Sequence, residues 1–138
     1  MRLYRVFPYD AAVAPTDRGG ALFVPPSSGL GRIDNPGLYD VLYVATTPHA
    51  AIAETFGRLA LWRANTFVHA GGMPYGVATY EARDDLPIFD LNDVDALRSI
   101  GITRPTEVVT RDRTVTQAWA RAIFELSKHS GASWWSFY

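Results

Sequence analysis

"DVLYVATTPHAAIAETFG", residues 40–57, is the stretch whose reading decides the fold. Its first part, "DVLYVATT" (40–47), is a compact apolar run of strand character, predicted as a strand near 41–46. Its second part reads as a helix start. Thr47 suits the N-cap, Pro48 suits the first helical position, and Ile52, Phe56 and Leu59 recur at helical spacing. A helix is predicted from Pro48 to about residue 63, directly after a strand, which excludes an all-β and an all-helical chain. Glu54 lies on nearly the opposite side of this helix from the apolar stripe. It shares that side with Ala50, Ala53, Gly57 and Leu61. An ordinary surface carboxylate would have polar neighbours, or at least the i,i+4 pair with Arg58, a contact of a few tenths of a kcal/mol (about 0.2–0.5). Two readings stand: that surface pair with Arg58, or a carboxylate facing a cleft, where the small neighbours leave space for a ligand.

The rest of the chain extends the mixed pattern. "RLYRVF" (2–7) alternates and predicts a strand, with Arg5 in its middle. Residues 8–40 are irregular and carry "RGG", "SSGLG" and "NPG"; a loop of that length is usually functional. "NTFVHAGGMPYG" (65–76) is a second glycine-rich loop. "VATYEAR" (77–83) and "LPIFDL" (86–91) predict strands, neighbours across the Asp84-Asp85 turn. Asn92 is read as capping a short helix to about Ser99, and residues 101–113 as loop. In "TVTQAWARAIFELSKHSG", Thr114 and Gln117 form a T-x-x-Q capping box ahead of a helix near 114–129, with Gly131 at its C-cap. "ASWWSF" predicts a closing strand near 132–137. Elements that mix without regular alternation predict an α+β fold, organised as one domain over residues 1–138.

Composition narrows the function. The chain has 138 residues, with 48% apolar and 20% charged, so it can bury a core and is not of disordered type. A net charge of −1 argues against a broad electrostatic footprint for nucleic acid or anionic lipid. The absence of cysteine excludes a disulfide framework, a thiolate nucleophile and a zinc–thiolate site. His49, His69 and His129 have no metal-ligand spacing, and no metal is expected. There is no G-x-S-x-G, Walker loop or G-x-G-x-x-G. The first residues carry no apolar signal core and no run approaches the length of a membrane helix, so a soluble cytoplasmic protein is expected. All of the last five residues except Ser136 are aromatic. Such an end is expected either to dock in the sheet or to be followed by further chain.

Taken singly, the polar candidates are ordinary. Arg5 has the look of an edge-strand charge, Arg32 of a solvated loop residue, Tyr43 of core and Ser136 of a filler. Their order along the chain is distinctive: "LYR" (3–5), "GR" (31–32), "LYVA" (42–45), "AIAET" (51–55), "TQAWARAI" (116–123) and "GASWWS" (131–136). This arrangement resembles the RES domain family, bacterial toxins of the Xre–RES toxin–antitoxin type, and the resemblance runs over essentially the whole chain. The loop reads Gly31-Arg32-Ile33-Asp34 where the family usually has G-R-W-N, and Trp134 stands where a tyrosine is usual.

The resemblance implies a fold similar to ADP-ribosyltransferases, with mixed and antiparallel sheets and flanking helices. It implies cleavage of the nicotinamide–ribose bond of NAD, with NAD as substrate rather than cofactor. The implied site is Glu54, Arg32 and Ser136 as catalytic residues, with Arg5, Arg32 and Tyr43 binding NAD. The acceptor stays open between water, phosphate and a protein side chain. A mono-ADP-ribosyltransferase and a non-catalytic nucleotide-binding domain are the alternatives. The implied partner is an Xre-type helix-turn-helix antitoxin, with homo-oligomers open, and without direct binding of nucleic acid or membrane.

Overall fold

The computed structural model describes residues 1–135, and it has the α+β architecture expected. It falls into two compact units. The first comprises Met1–Pro25 and Leu42–Asp84, and the second Pro26–Val41 and Asp85–Trp135.

In the first unit, β1 (Arg2–Pro8) pairs antiparallel with β2 (Tyr75–Glu81), in a register that sets Arg5 opposite Ala78 and Val6 opposite Val77. The 40–47 segment is not a full strand. Only Ala45 joins the ladder, through a reciprocal pair of 2.8 Å hydrogen bonds with Tyr4. Helix α1 (Pro48–Phe56) begins as expected, with the Thr47 hydroxyl accepting from the Ala50 N–H at 3.1 Å.

It ends at Phe56, well short of residue 63. The Phe56 carbonyl accepts from the Leu59 N–H at 2.9 Å and from the Trp62 indole at 3.1 Å, so the chain folds back over its own last turn. Phe56 then becomes the centre of an aromatic cluster, edge-on to Trp62, Phe67 and Tyr75. Leu59, expected on the buried stripe, is 42% exposed because no helix carries it there. A short 3-10 helix (Ala64–Phe67) follows.

In the second unit, β3 (Ile88–Asp90) pairs in parallel with β4 (Gly131–Ser133). The expected pairing of the 77–83 and 86–90 strands across Asp84-Asp85 is therefore corrected: the first pairs with β1 and the second with β4. A parallel pair needs a long crossover, and three helices supply it. These are α2 (Val94–Ser99), α3 (Thr106–Val109) and α4 (Arg113–Glu125). The crossover packs Leu97, Val108, Trp119 and Ile123 against Phe89 and Leu91 as one core.

The caps differ from expectation by one or two residues. Asp93, not Asn92, caps α2, accepting from the Asp95 and Ala96 N–H groups. Asp112 caps α4, accepting from the Thr114 N–H at 2.9 Å, so the T-x-x-Q box does not form. Helix α4 stops at Glu125 because Ser127 adopts a left-handed backbone at φ 53°. Gly131 begins β4 instead of capping the helix. Of the closing strand expected at 132–137, residues 132 and 133 belong to β4, and 136 and 137 lie outside the described residues. Among the described residues, no helix is long and apolar enough to cross a membrane.

Candidate active site

Strand alternation sends Arg5 and Phe7 to one face of β1 and Val6 to the other. On the Arg5 side lies a cavity of about 210 Å³ whose lining includes Arg5, Phe7, Arg18, Gly20, Phe23 and His69. The Arg5 guanidinium donates to the Phe23 carbonyl at 2.7 Å and lies 5.8 Å from the centre of the Phe7 ring. One N–H is thus fixed by the loop, and the ring supports the planar group from one side. An arginine so held is oriented before any ligand arrives. On the Val6 side a smaller space of about 120 Å³ is lined by Val6, Ile52, Phe56 and Tyr75, and this is where α1 packs.

In the second unit, the loop that carries Arg32 is tied down with unusual thoroughness. The Gln117 side-chain amide donates to the carbonyls of Gly29 and Gly31, at 2.9 and 3.0 Å. The Thr116 hydroxyl donates to the Arg32 carbonyl. Asn35 donates to the Tyr39 hydroxyl at 2.7 Å and to the Gln117 carbonyl at 3.0 Å, while Tyr39 donates to the Ile33 carbonyl at 2.7 Å. The buried Asp34 carboxylate accepts from the Gly31 N–H at 2.9 Å. The Arg32 guanidinium donates to the Val108 carbonyl of α3, and its buried Nε has no hydrogen-bond partner among the described residues. Burial pushes the Tyr39 phenol above its ordinary range; the Asn35 bond opposes this and the Asp34 charge adds to it.

A tethered G-R loop and an arginine on the first strand, within this element order, accompany a match to the family model described as the RES domain, over residues 2–138. The chain belongs to the RES domain family. This is a family of toxin-type, NAD-related domains, associated with NAD-acting enzymatic activity. Comparisons with curated proteins and with solved structures gave no match.

The residues that the resemblance implies for a RES site are placed as follows. Arg5, Tyr43 and Glu54 belong to the first unit and Arg32 to the second, while Ser136 lies outside the described residues. Within the first unit, Arg5 lines the larger cavity and neither Tyr43 nor Glu54 does. Tyr43 is 41% exposed, in the stretch before α1. Glu54 is exposed on α1, turned away from Phe56, with the partly buried Ala50 and Ala53 on its side. Sequence reasoning gave no role to Arg18 or to His69, which share the cavity with Arg5. It placed Gln117 in a capping box with Thr114 and counted "TQ" at 116–117 among the motifs of the resemblance, but gave neither residue the task of holding the Arg32 loop. Thr116 is fully buried, and a buried hydroxyl on an apolar helix face is the signal that it holds something.

Proposed function

We propose that this RES domain cleaves the nicotinamide–ribose bond of NAD, by hydrolysis or phosphorolysis, and serves as the toxin of a type II toxin–antitoxin pair. The observation that carries this reading is the family match across residues 2–138, on a chain whose first strand presents a pre-oriented arginine to a cavity.

The chemistry follows from the substrate. As the glycosidic bond breaks, its electron pair leaves with nicotinamide as a neutral base, and positive charge develops on the ribose. A carboxylate near the ribose stabilises that charge, which is the role assigned to Glu54. The placement of Glu54 supports it: exposed, beside small residues, on a helix whose other face is anchored by Phe56. Guanidinium groups match phosphate oxygens as a fork, the role assigned to Arg5 and Arg32. Tyr43 offers a ring to stack on nicotinamide, and Ser136 a hydroxyl for the ribose. Water or phosphate supplies the oxygen that closes the ribosyl centre; a protein side chain in that place would make the same site a mono-ADP-ribosyltransferase. A domain that consumed NAD would harm its own cell, so a helix-turn-helix antitoxin that covers the site belongs to the same reading.

Glu54→Gln tests it. The change keeps size and removes charge. NAD consumption should fall about a hundredfold or more, while nicotinamide affinity changes far less, because the charge develops only as the bond breaks. Thermal melting must show the variant folded. A folded Glu54→Gln protein that consumes NAD at the wild-type rate removes the carboxylate from the mechanism.

A further inference from the structure

The cavity beside Arg5 contains a second guanidinium to which the proposed mechanism gives no task. Arg18 lines it, and has neither a hydrogen bond nor an ion pair among the described residues. Its place is fixed by the backbone around it. Gly19 sits at φ +100°, and a Cβ there would meet the Asp10 Cβ at 2.9 Å. A Cβ on Gly20 would come within 2.4 Å of the carbonyl oxygens of Ala14 and Pro15. Both positions therefore require glycine. Backbone bonds close the same loop: Asp10 N–H to the Gly19 carbonyl at 3.0 Å, Gly20 N–H to Asp17 at 2.7 Å, and Leu22 N–H to Pro15 at 2.7 Å. The Phe23 carbonyl at the loop's end accepts from Arg5. One compact loop thus sets the backbone from which the exposed Arg18 side chain reaches the cavity, and holds the Arg5 guanidinium.

Among the described residues, the lining contains no carboxylate. Two guanidinium groups on one small cavity repel each other, and an anion with several oxygens is what relieves that. His69 adds a further polar group. Its Nδ1 accepts from the Gly71 N–H at 3.2 Å, which leaves Nε2 as the donor nitrogen of the ring. Phe7, Phe23 and Pro25 complete the wall with apolar surface, which lowers the local dielectric and strengthens charge recognition. At about 210 Å³ the space is below the roughly 300–1,000 Å³ of pockets that hold a whole drug-sized ligand. It suits a fragment, not an entire dinucleotide.

We infer that Arg5 and Arg18 together bind the pyrophosphate of the dinucleotide substrate, with the His69 Nε2 as a donor beside it. This rests on the NAD reading above for the identity of the dinucleotide. It makes Arg18 a substrate-binding residue beside Arg5, in addition to those that the family resemblance implies.

The test uses the full chain, with ADP-ribose and inorganic pyrophosphate as binding probes and NAD as substrate. Variants are Arg18→Gln, and Arg121→Gln as a control on the surface ion pair with Glu125. Titration calorimetry should find that wild type binds both probes. Arg18→Gln should weaken ADP-ribose binding about tenfold or more, the scale of one charge-assisted contact. It should raise KM for NAD similarly with kcat nearly unchanged, and leave binding of nicotinamide riboside, which has no phosphate, unaltered. Arg121→Gln should match wild type throughout, and melting curves should be alike for all three. Wild type that binds neither probe overturns the inference, as does a folded Arg18→Gln protein with wild-type ADP-ribose affinity. If NAD is consumed with a KM insensitive to Arg18→Gln, this inference fails and the NAD reading stands. If ADP-ribose binds through Arg18 but NAD is not cleaved, the inference stands and the cleavage reading fails.

Discussion

The Tyr39 hydroxyl holds the loop of Arg32, donating to the Ile33 carbonyl and accepting from Asn35, while its ring packs against Phe124 at 4.9 Å. Ionisation would remove the donor and add a negative charge near Asp34, in a site that burial already makes unfavourable for charge. The folded-state pKa is therefore above the usual 10.0. With the folded value raised, the neutral phenol's contribution is fully present below the unfolded pKa and is lost as pH rises through the folded one. Melting temperature followed from about pH 8 to about pH 11 should fall more steeply for wild type than for Tyr39→Phe. At neutral pH the variant should be less stable by about 1 kcal/mol, the scale of one internal hydrogen bond. Equal slopes for the two proteins would mean that the phenol's environment does not favour its neutral form.

At the scale of elements, what could be read from the sequence was whatever depended on neighbours in the chain. Alternation identified β1, and Thr47-Pro48 located the start of α1 because capping is local chemistry. The end of α1 could not be read, because it depends on Trp62 reaching back to the Phe56 carbonyl. The partners of β2 and β3 were misassigned for a similar reason: proximity favours a hairpin, and only the packing of the three-helix crossover favours a parallel β3–β4 pair.

Helix α4 carries the prediction at this scale. It is both a wall of the second core, through Trp119 and Ile123, and the clamp on the Gly29–Arg32 loop, through Thr116 and Gln117. Gln117→Leu keeps the helix and its volume but deprives two loop carbonyls of their donor. Stability should drop by about 1–2 kcal/mol, with the helical circular dichroism signal kept. Amide exchange should rise at residues 29–32 and remain slow at the α4 core positions. Uniform acceleration across the second unit would show that Gln117 supports the helix, not the loop.

At the scale of the whole molecule, the candidate site was legible only as an order of motifs. Arg5, ordinary by itself, was picked out by its place in "LYR" at the head of that order, whereas Arg18 belongs to no such motif and only the cavity and the glycines after it distinguish it. Charge was legible at once, and it supports the final prediction. With 13 basic and 14 acidic side chains, the net charge is −1. A protein that tracks duplex DNA neutralises several phosphates, and its affinity falls by about 10³–10⁵ between low and moderate salt for 6–10 such contacts. Here the paired cations Arg5 and Arg18 line a cavity of about 210 Å³, which admits a small oxyanion and not the backbone of a double helix. The chain alone should therefore not retard random-sequence duplex DNA at about 50 mM salt, and excess duplex should not displace ADP-ribose from it. Retardation that weakens steeply with added salt would reveal a basic surface that the net charge conceals, and would open a nucleic-acid role for this domain. Retardation that appears only when a helix-turn-helix partner is added would assign DNA binding to that partner and leave the Arg5–Arg18 cavity to the nucleotide.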